Sequence, residues 1–376
     1  MLSRHSALAL QGVSGGELED LCAQAVQLRK QHYGERLTYS RKVFVPLTTL
    51  CRDDCGYCTF VQRPGSPGAK VMTPAEVMEV VQQGQQLGCK EVLFSLGEKP
   101  ERRYQQARDA LAALGYQRMT DYLAACCDQV LEQSSLMPHV NAGTLDEDEL
   151  RLLKPRCLSM GMMLETMSRR LLQKGGAHYA CPDKVPLQRI RTLERAGRLQ
   201  VPFTTGILIG IGETWDERID SLLLINRLHA EYGHIQEVII QNFCAKPGTP
   251  MANYPEPSLE EMLRTLAVAR LLLHPSISLQ APPNLQQRYG HYIQAGINDW
   301  GGISPLTRDY INPEKAWPQL ELLAAACAEQ GCLLEERLAL YPAYQQQPGF
   351  VEAAVQARLA PLCRADGLAQ HQCLAS

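Results

Sequence analysis

The sequence predicts an α/β protein built on a parallel (β/α)8 barrel of the TIM type, and three observations predict it. Short runs rich in Val, Ile, Leu and Phe alternate with stretches whose apolar residues return every three or four positions, as amphipathic helices require. The alternation persists over about 250 residues, the usual span of one such barrel. Eight apolar runs can be counted, enough to close the sheet on itself. An open doubly wound sheet is the alternative, because periodicity does not show closure.

Residues 1–40 read as a helical N-terminal extension, and the barrel core is expected over 41–302. Strands are expected at 42–49, 91–96, 136–143, 157–165, 203–212, 237–243, 276–282 and 295–302. Helices are expected at 73–88, 104–133, 185–199, 214–233 and 258–273, several with Thr or Ser before the first turn and an acidic residue inside it. Residues 303–376 form a C-terminal extension, helix then strand, packed on the barrel. Neither an internal repeat nor a low-complexity linker interrupts the chain.

Composition narrows the function. With 45% hydrophobic and 20% charged residues, the 376-residue chain can bury a sizeable core. A net charge of −3 with both signs interspersed leaves no basic stripe for nucleic acid or anionic lipid. The only apolar stretch near the start is too short for a signal peptide and no later run approaches a membrane span, so a cytoplasmic location is expected. There, most of the fourteen cysteines would stay reduced. Cys22, Cys89, Cys126, Cys127, Cys157, Cys327 and Cys332 sit among apolar or helical neighbours and read as packing residues. No Ser-His-Asp or two-carboxylate arrangement stands out for a hydrolase.

One cluster differs. In "LCRDDCGYC", Cys51, Cys55 and Cys58 follow directly on the first strand, where a barrel builds its active site. A structural zinc site wants four closed ligands, usually from two separated pairs, and an electron-transfer four-iron cluster wants four thiolates. Three ligands in one loop leave a four-iron cluster with one iron open to a substrate or cofactor. Three buried packing thiols would not sit among Arg52, Asp53, Asp54 and Gly56.

The spacing Cys51-x3-Cys55-x2-Cys58, with Tyr57 before the last cysteine, resembles the signature of the radical S-adenosylmethionine (SAM) superfamily. The resemblance implies a [4Fe-4S] cluster on the three cysteines, SAM chelating the fourth iron, and Tyr57 near the adenine. Gly97 and Glu98 in "SLGEKPE" resemble most of the Gly-Gly-Glu that binds SAM's amino group. Glu165 in "LETMSRRL" resembles an acidic residue that some members use on SAM's ribose or amino group. "GILIGIGE" (206–213) is similar to G-x-I-x-G-x-x-E with Leu208 in the third place; Gly206, Gly210 and Gly212 would let the backbone approach adenine and ribose.

Longer stretches resemble one family within it: "CGYCTF", "SLGEKPE", "VPFTTGILIGIGET", "HIQEVIIQNFCAKPGTPM", "QAPPNL" and "GINDWGGISPLT" are similar to the CofG-type subunit of 7,8-didemethyl-8-hydroxy-5-deazariboflavin (Fo) synthase, from about residue 40 to about 345. Cys244 departs from the pattern, which has arginine there. The resemblance implies an ammonia-releasing, cyclising carbon–nitrogen lyase. It would act on the adduct of a tyrosine-derived 4-hydroxybenzyl unit with a ribitylaminouracil, which a CofH-type partner enzyme makes. An electron donor such as flavodoxin or ferredoxin would reduce the cluster. Alternatives are the adduct-forming partner itself, another radical SAM enzyme, or a non-enzymatic Fe–S or metal-binding protein. Candidates for substrate contact at the strand ends are His139, Gln241, Asn242, Lys246, Asn284, Asn298 and Asp299.

Overall fold

The computed structural model describes residues 2–370; residue 1 and residues 371–376 of the expected terminal extensions lie outside the described residues. Eight parallel strands form the barrel: β1 (Arg36–Pro46), β2 (Glu91–Ser95), β3 (Met137–Asn141), β4 (Ser159–Gly161), β5 (Phe203–Ile209), β6 (Ile235–Asn242), β7 (Ser278–Gln280) and β8 (Asp299–Ile303). They pair in chain order, and β1 pairs with both β2 and β8, so the sheet is closed rather than open. A ninth strand, β9 (Leu333–Glu336), adds in parallel to the first residues of β1, Arg36 to Tyr39.

Local chemistry explains the elements. The helices Pro74–Gln86, Glu147–Leu153 and Trp215–Tyr232 each start with a reciprocal capping box, Thr73 with Glu76, Asp146 with Glu149, and Thr214 with Glu217. All seven residues of β5 are buried, as expected of a parallel strand covered on both faces. Its Gly206 is a packing requirement: a Cβ there would lie 2.9 Å from Ile239 Cβ on β6.

The structure departs from expectation at boundaries. The helix expected over 104–133 is two helices, Gln105–Ala113 and Met119–Gln133, because Gly115 takes a φ of 86° between them. The helix Glu147–Leu153 was not foreseen; its seven residues are too few for periodicity to register. β1 begins at Arg36, inside the segment read as helical extension, because those residues pair with β9. The run 157–165 supplies only three strand residues, with Glu165 joined to Ile207 by an isolated bridge. β8 starts at Asp299, not 295, because residues 289–295 coil into a 3-10 turn.

Buried ion pairs close the N-terminal end of the barrel. Arg337, just past β9, sets its guanidinium against Asp299 (2.6 Å) and Glu237 (3.0 Å) and over the ring of Tyr341 (4.1 Å). The open end is therefore the C-terminal one. Among the described residues no helix is long and apolar enough to cross a membrane.

Candidate active site

The cysteine loop leaves β1 at Pro46 and folds over the C-terminal end of the barrel. Three strand ends hold it. After β2, Gly97 has no room for a side chain, since a Cβ would lie 2.6 Å from the Leu50 carbonyl carbon and 2.8 Å from Cys51 Cβ. This close approach lets the Glu98 N–H donate to Cys51 Sγ (3.1 Å) and the Arg52 N–H donate to the Glu98 carbonyl (3.0 Å). After β4, the Ala177 carbonyl accepts from the Gly56 N–H (2.8 Å), and after β6 the Met251 N–H donates to the Gly56 carbonyl (3.0 Å). Cys51 is buried, whereas Cys55 and Cys58 are half-buried.

Under the loop lie two carboxylate centres. Asp53, Glu98 and Asp183 each bring an oxygen within 4.8 Å of the others, all buried. Thr144 donates to Glu98 from its N–H (2.5 Å) and its hydroxyl, Arg52 pairs with Asp183, and Arg189 stands 3.7 Å from Glu98. Burial, helped by Glu98, pushes the Asp53 carboxyl up to about 7. This is an acidic centre with incomplete compensation, suited to an added cationic group.

Glu165 is the second centre. It sits in the left-handed region at φ 65°, a strained backbone for a side chain of its size, and is buried. The Tyr57 hydroxyl and Lys184 donate to its carboxylate, His178 Nε2 lies at 2.9 Å and Arg189 at 3.9 Å. Burial alone would raise its pKa, but Lys184, His178 and Arg189 together hold the carboxyl well below the usual range. Burial lowers His178. Tyr57 thus ties the cysteine loop to the end of β4.

The glycine-rich end of β5 is a tight turn, with Gly210 at φ 88° and Gly212 at φ 102°. The Glu213 carboxylate accepts the N–H groups of Gly210 (3.0 Å) and Ile211 (3.0 Å) and pairs with Arg218 (2.6 Å). Gly206 lies deeper, inside the strand.

A cavity of about 250 Å3 runs into the barrel below this layer, lined by Ser95, His139, Asn141, Gln241 and Gln280 among others, with Arg337 and Glu237 toward its floor. His139 bonds Ser159 Oγ (2.7 Å) and Asn141 Oδ1 (3.0 Å); burial, then Lys42, lowers its pKa far below the usual range and keeps it neutral. Asn242 alternates to the other face of β6, its amide nitrogen 3.6 Å from Cys244 Sγ. Lys246 lies beside the cysteine loop, 3.5 Å from the Tyr57 carbonyl. Asn284 bonds Asp309 (2.9 Å) and so braces the segment 309–312 that lines the cavity mouth.

Asn298 and Asp299 correct the sequence reading. Both lie at the closed end, Asn298 bonded to Arg270 (2.5 Å) and Asp299 to Arg337. Because β8 starts later than its hydropathy suggested, residues placed at its mouth occupy its foot. The segment "HYACPDK", His178 to Lys184, was missed, although its density of ionisable residues outside any periodic element was a usable signal. It brings His178, Cys181, Asp183 and Lys184 against the cysteine loop, with Cys181 Sγ 3.6 Å from Cys55 Sγ. Asn141, Thr144 and Arg189 also went unforeseen.

Comparison with known proteins adds a family to this geometry. Residues 45–225 match the Radical SAM superfamily model. The chain is 46% identical over 335 residues to the 7,8-didemethyl-8-hydroxy-5-deazariboflavin synthase of Methanopyrus kandleri, covering 89% of this chain and 100% of that one. It is 50% identical over 349 residues to an FO synthase of Mycobacterium tuberculosis, covering 88% of this chain; the chain spans 41% of that relative's length. Among solved structures, methylornithine synthase (PylB) superposes with a TM-score of 0.69 at 19% identity, over 89% of this chain and 94% of the other. The hydrogenase maturase HydG of Carboxydothermus hydrogenoformans gives 0.72 at 18%, over 90% and 77%. At such identities these two structures show the barrel and nothing finer.

Proposed function

Because the chain belongs to the deazariboflavin (Fo) synthase family of radical SAM enzymes, whose cofactors are a [4Fe-4S] cluster and SAM, we propose that it performs the cyclising half of Fo formation. The substrate would be 5-amino-5-(4-hydroxybenzyl)-6-(D-ribitylimino)-5,6-dihydrouracil, and the products Fo, ammonia, methionine and 5′-deoxyadenosine. One observation carries this reading: the match to the archaeal synthase runs over that enzyme's whole length, whereas the same residues fill less than half of the mycobacterial FO synthase. The adduct-forming step is assigned to a CofH-type partner, and the electron to a flavodoxin or ferredoxin.

The donor set supports the cluster. Among the described residues, the only His/Cys/Asp/Glu trio gathered within 4.8 Å is the Asp53–Glu98–Asp183 group, so the three cysteine sulfurs are spread more widely than a single ion would need. Cys51, Cys55 and Cys58 would hold the cluster, with the Glu98 N–H donating to Cys51 Sγ. Held there and reduced, the cluster would supply the electron for reductive cleavage of SAM's sulfonium.

The chain's own work is to bind and orient. Glu98, with Asp53 and Asp183 beside it, would receive SAM's ammonium group, which the unbalanced acidic centre favours. Glu165 would orient SAM's ribose or amino group at the neighbouring strand end. Tyr57 fixes the loop by its bond to Glu165. Gly210 and Gly212 keep the β5 turn free of side chains beside the nucleoside. The barrel cavity would take the adduct, offering Gln241, Asn141 and Gln280 to its uracil and ribityl groups and excluding water from the reacting carbon. Neutral His139 holds Asn141 in place rather than acting as a base.

The test is anaerobic. Reconstituted protein is mixed with dithionite, SAM and the adduct, and Fo fluorescence is measured together with 5′-deoxyadenosine. Both products are expected. Deoxyadenosine without Fo would refute the substrate while leaving the radical chemistry; neither product from a cluster-loaded preparation would refute both.

A further inference from the structure

We infer that Cys181 is a built-in disulfide partner for Cys55. In chain that lacks its cluster, the two thiols close a bond that removes Cys55 from the ligand set and stores the loop in an oxidised form. The inference rests on the reading of Cys55 as a cluster ligand.

Three observations carry it. Cys55 and Cys181 are the one thiol pair joined by a hydrogen bond among the described residues, sulfur to sulfur 3.6 Å. Hydrogen bonds hold their segments together on both sides of that contact: Asp54 pairs antiparallel with Ala180, Gly56 N–H donates to the Ala177 carbonyl, and Asp183 N–H donates to the side-chain Oδ1 of Asp53 (3.1 Å). Closing the contact to a disulfide of about 2.05 Å therefore brings together two sulfurs whose segments are already held side by side. Third, an open cleft of about 560 Å3 reaches Cys181 and is lined by Arg52, Arg102 and Arg103, of which Arg102 has no ion pair among the described residues. Such a cleft suits an anionic low-molecular-weight disulfide, for which oxidised glutathione serves as the probe.

The step balances as ordinary exchange. The Cys181 thiol, at the wall of the cleft, attacks one sulfur of the small disulfide, breaking its S–S bond and releasing one thiol. Cys55 then attacks the Cys181 sulfur, forming the Cys55–Cys181 bond and releasing the second thiol. Two electrons pass from the protein thiols to the small disulfide, and the two thiol protons leave with the released thiols.

To test this, full-length cluster-free protein is treated with oxidised glutathione, alkylated, digested without reductant and analysed by mass spectrometry. A peptide pair joining Cys55 to Cys181 is expected, absent from Cys181→Ser. On anaerobic addition of iron and sulfide without thiol, the oxidised native chain should take up several-fold less iron than similarly treated Cys181→Ser, and dithiothreitol should equalise them. Cys181→Ala repeats the measurement in case a buried hydroxyl unsettles the loop. Cys55 joined instead to Cys51 or Cys58, Cys55 left as a glutathione adduct, or equal iron uptake by oxidised native chain and variants would overturn the inference. Neither readout involves Fo, so failure of the proposed substrate leaves this result intact.

Discussion

Gly97→Ala tests how tightly cluster and SAM sites are built on one contact. The added methyl would lie 2.0 Å from the Leu50 carbonyl oxygen, 2.6 Å from its carbon and 2.8 Å from Cys51 Cβ, against an ordinary contact of 3.4 Å. The first residues of the cysteine loop must therefore recede by up to about 1.4 Å, from 2.0 Å to 3.4 Å at the Leu50 carbonyl oxygen. Overpacking of this kind costs about 1–3 kcal/mol, which a folded chain of this size survives. The displacement strikes function harder. It stretches the Glu98 N–H bond to Cys51 Sγ from 3.1 Å and the Arg52 N–H bond to the Glu98 carbonyl from 3.0 Å, both past useful length. A shift of about 1 Å in a preorganised site costs on the order of 100-fold in rate. Iron content after anaerobic reconstitution, SAM binding and 5′-deoxyadenosine formation are measured on protein whose circular dichroism matches the parent. Cleavage within twofold of the parent would show that the β2 end does not position the loop, and would refute the argument.

Cys51→Ala, Cys55→Ala and Cys58→Ala should each abolish SAM cleavage, whereas Cys126→Ala and Cys327→Ala, buried in the main core, should leave it nearly intact; full cleavage by any of the first three would exclude the cluster assignment. Arg337→Met should leave Asp299 and Glu237 buried without their cation and cost about 3–5 kcal/mol, read as a lower denaturant midpoint; an unchanged midpoint would show that the closed end is not held by this residue. Glu91→Gln tests the burial of a carboxyl pushed up from 4.5 to about 7, chiefly by desolvation. A raised folded pKa means the native state holds this proton more tightly than the unfolded one, so the parent loses stability as pH rises through that window. The variant should gain on the parent across it, by about 3 kcal/mol at most, and a pH-independent difference would refute the shift. Gln241→Leu should lower Fo formation on the order of tenfold, one lost hydrogen bond to substrate, while deoxyadenosine still forms; unchanged Fo formation would move the substrate away from β6.

The barrel was legible because its signal is redundant. Parallel strands buried on both faces read as apolar runs, as β5 and β6 do, and the amphipathic helix between them adds its own period. What periodicity does not carry is the phase of a strand along the barrel axis. Asn298 shows the cost: four residues of error at the start of β8 move a side chain from the mouth to the foot. The cysteine loop and Gly97-Glu98 could be found because their spacing is local. Asp183, Lys184 and Arg189 could not, since they reach the site from a segment more than 120 residues beyond the cysteines, and only the closed barrel brings them there.

The distribution of charge explains why those distant residues matter. Glu165 is fully compensated by its own chain, with Lys184, His178 and Arg189 on one carboxylate. Arg189 is shared with Glu98, 3.7 Å away, and Arg52 is taken by Asp183. Three buried carboxylates at the Asp53 centre are thus left with a cation on Asp183 and part of another on Glu98, while Asp53 Oδ2 has no partner. A buried polar atom left unpaired carries a penalty that an ammonium group of the right size would remove. The chain therefore holds Glu165 in place before any ligand arrives and leaves the Asp53–Glu98–Asp183 centre short of positive charge, so the ammonium group proposed for this site would seat at the Asp53–Glu98–Asp183 centre, oriented relative to Glu165.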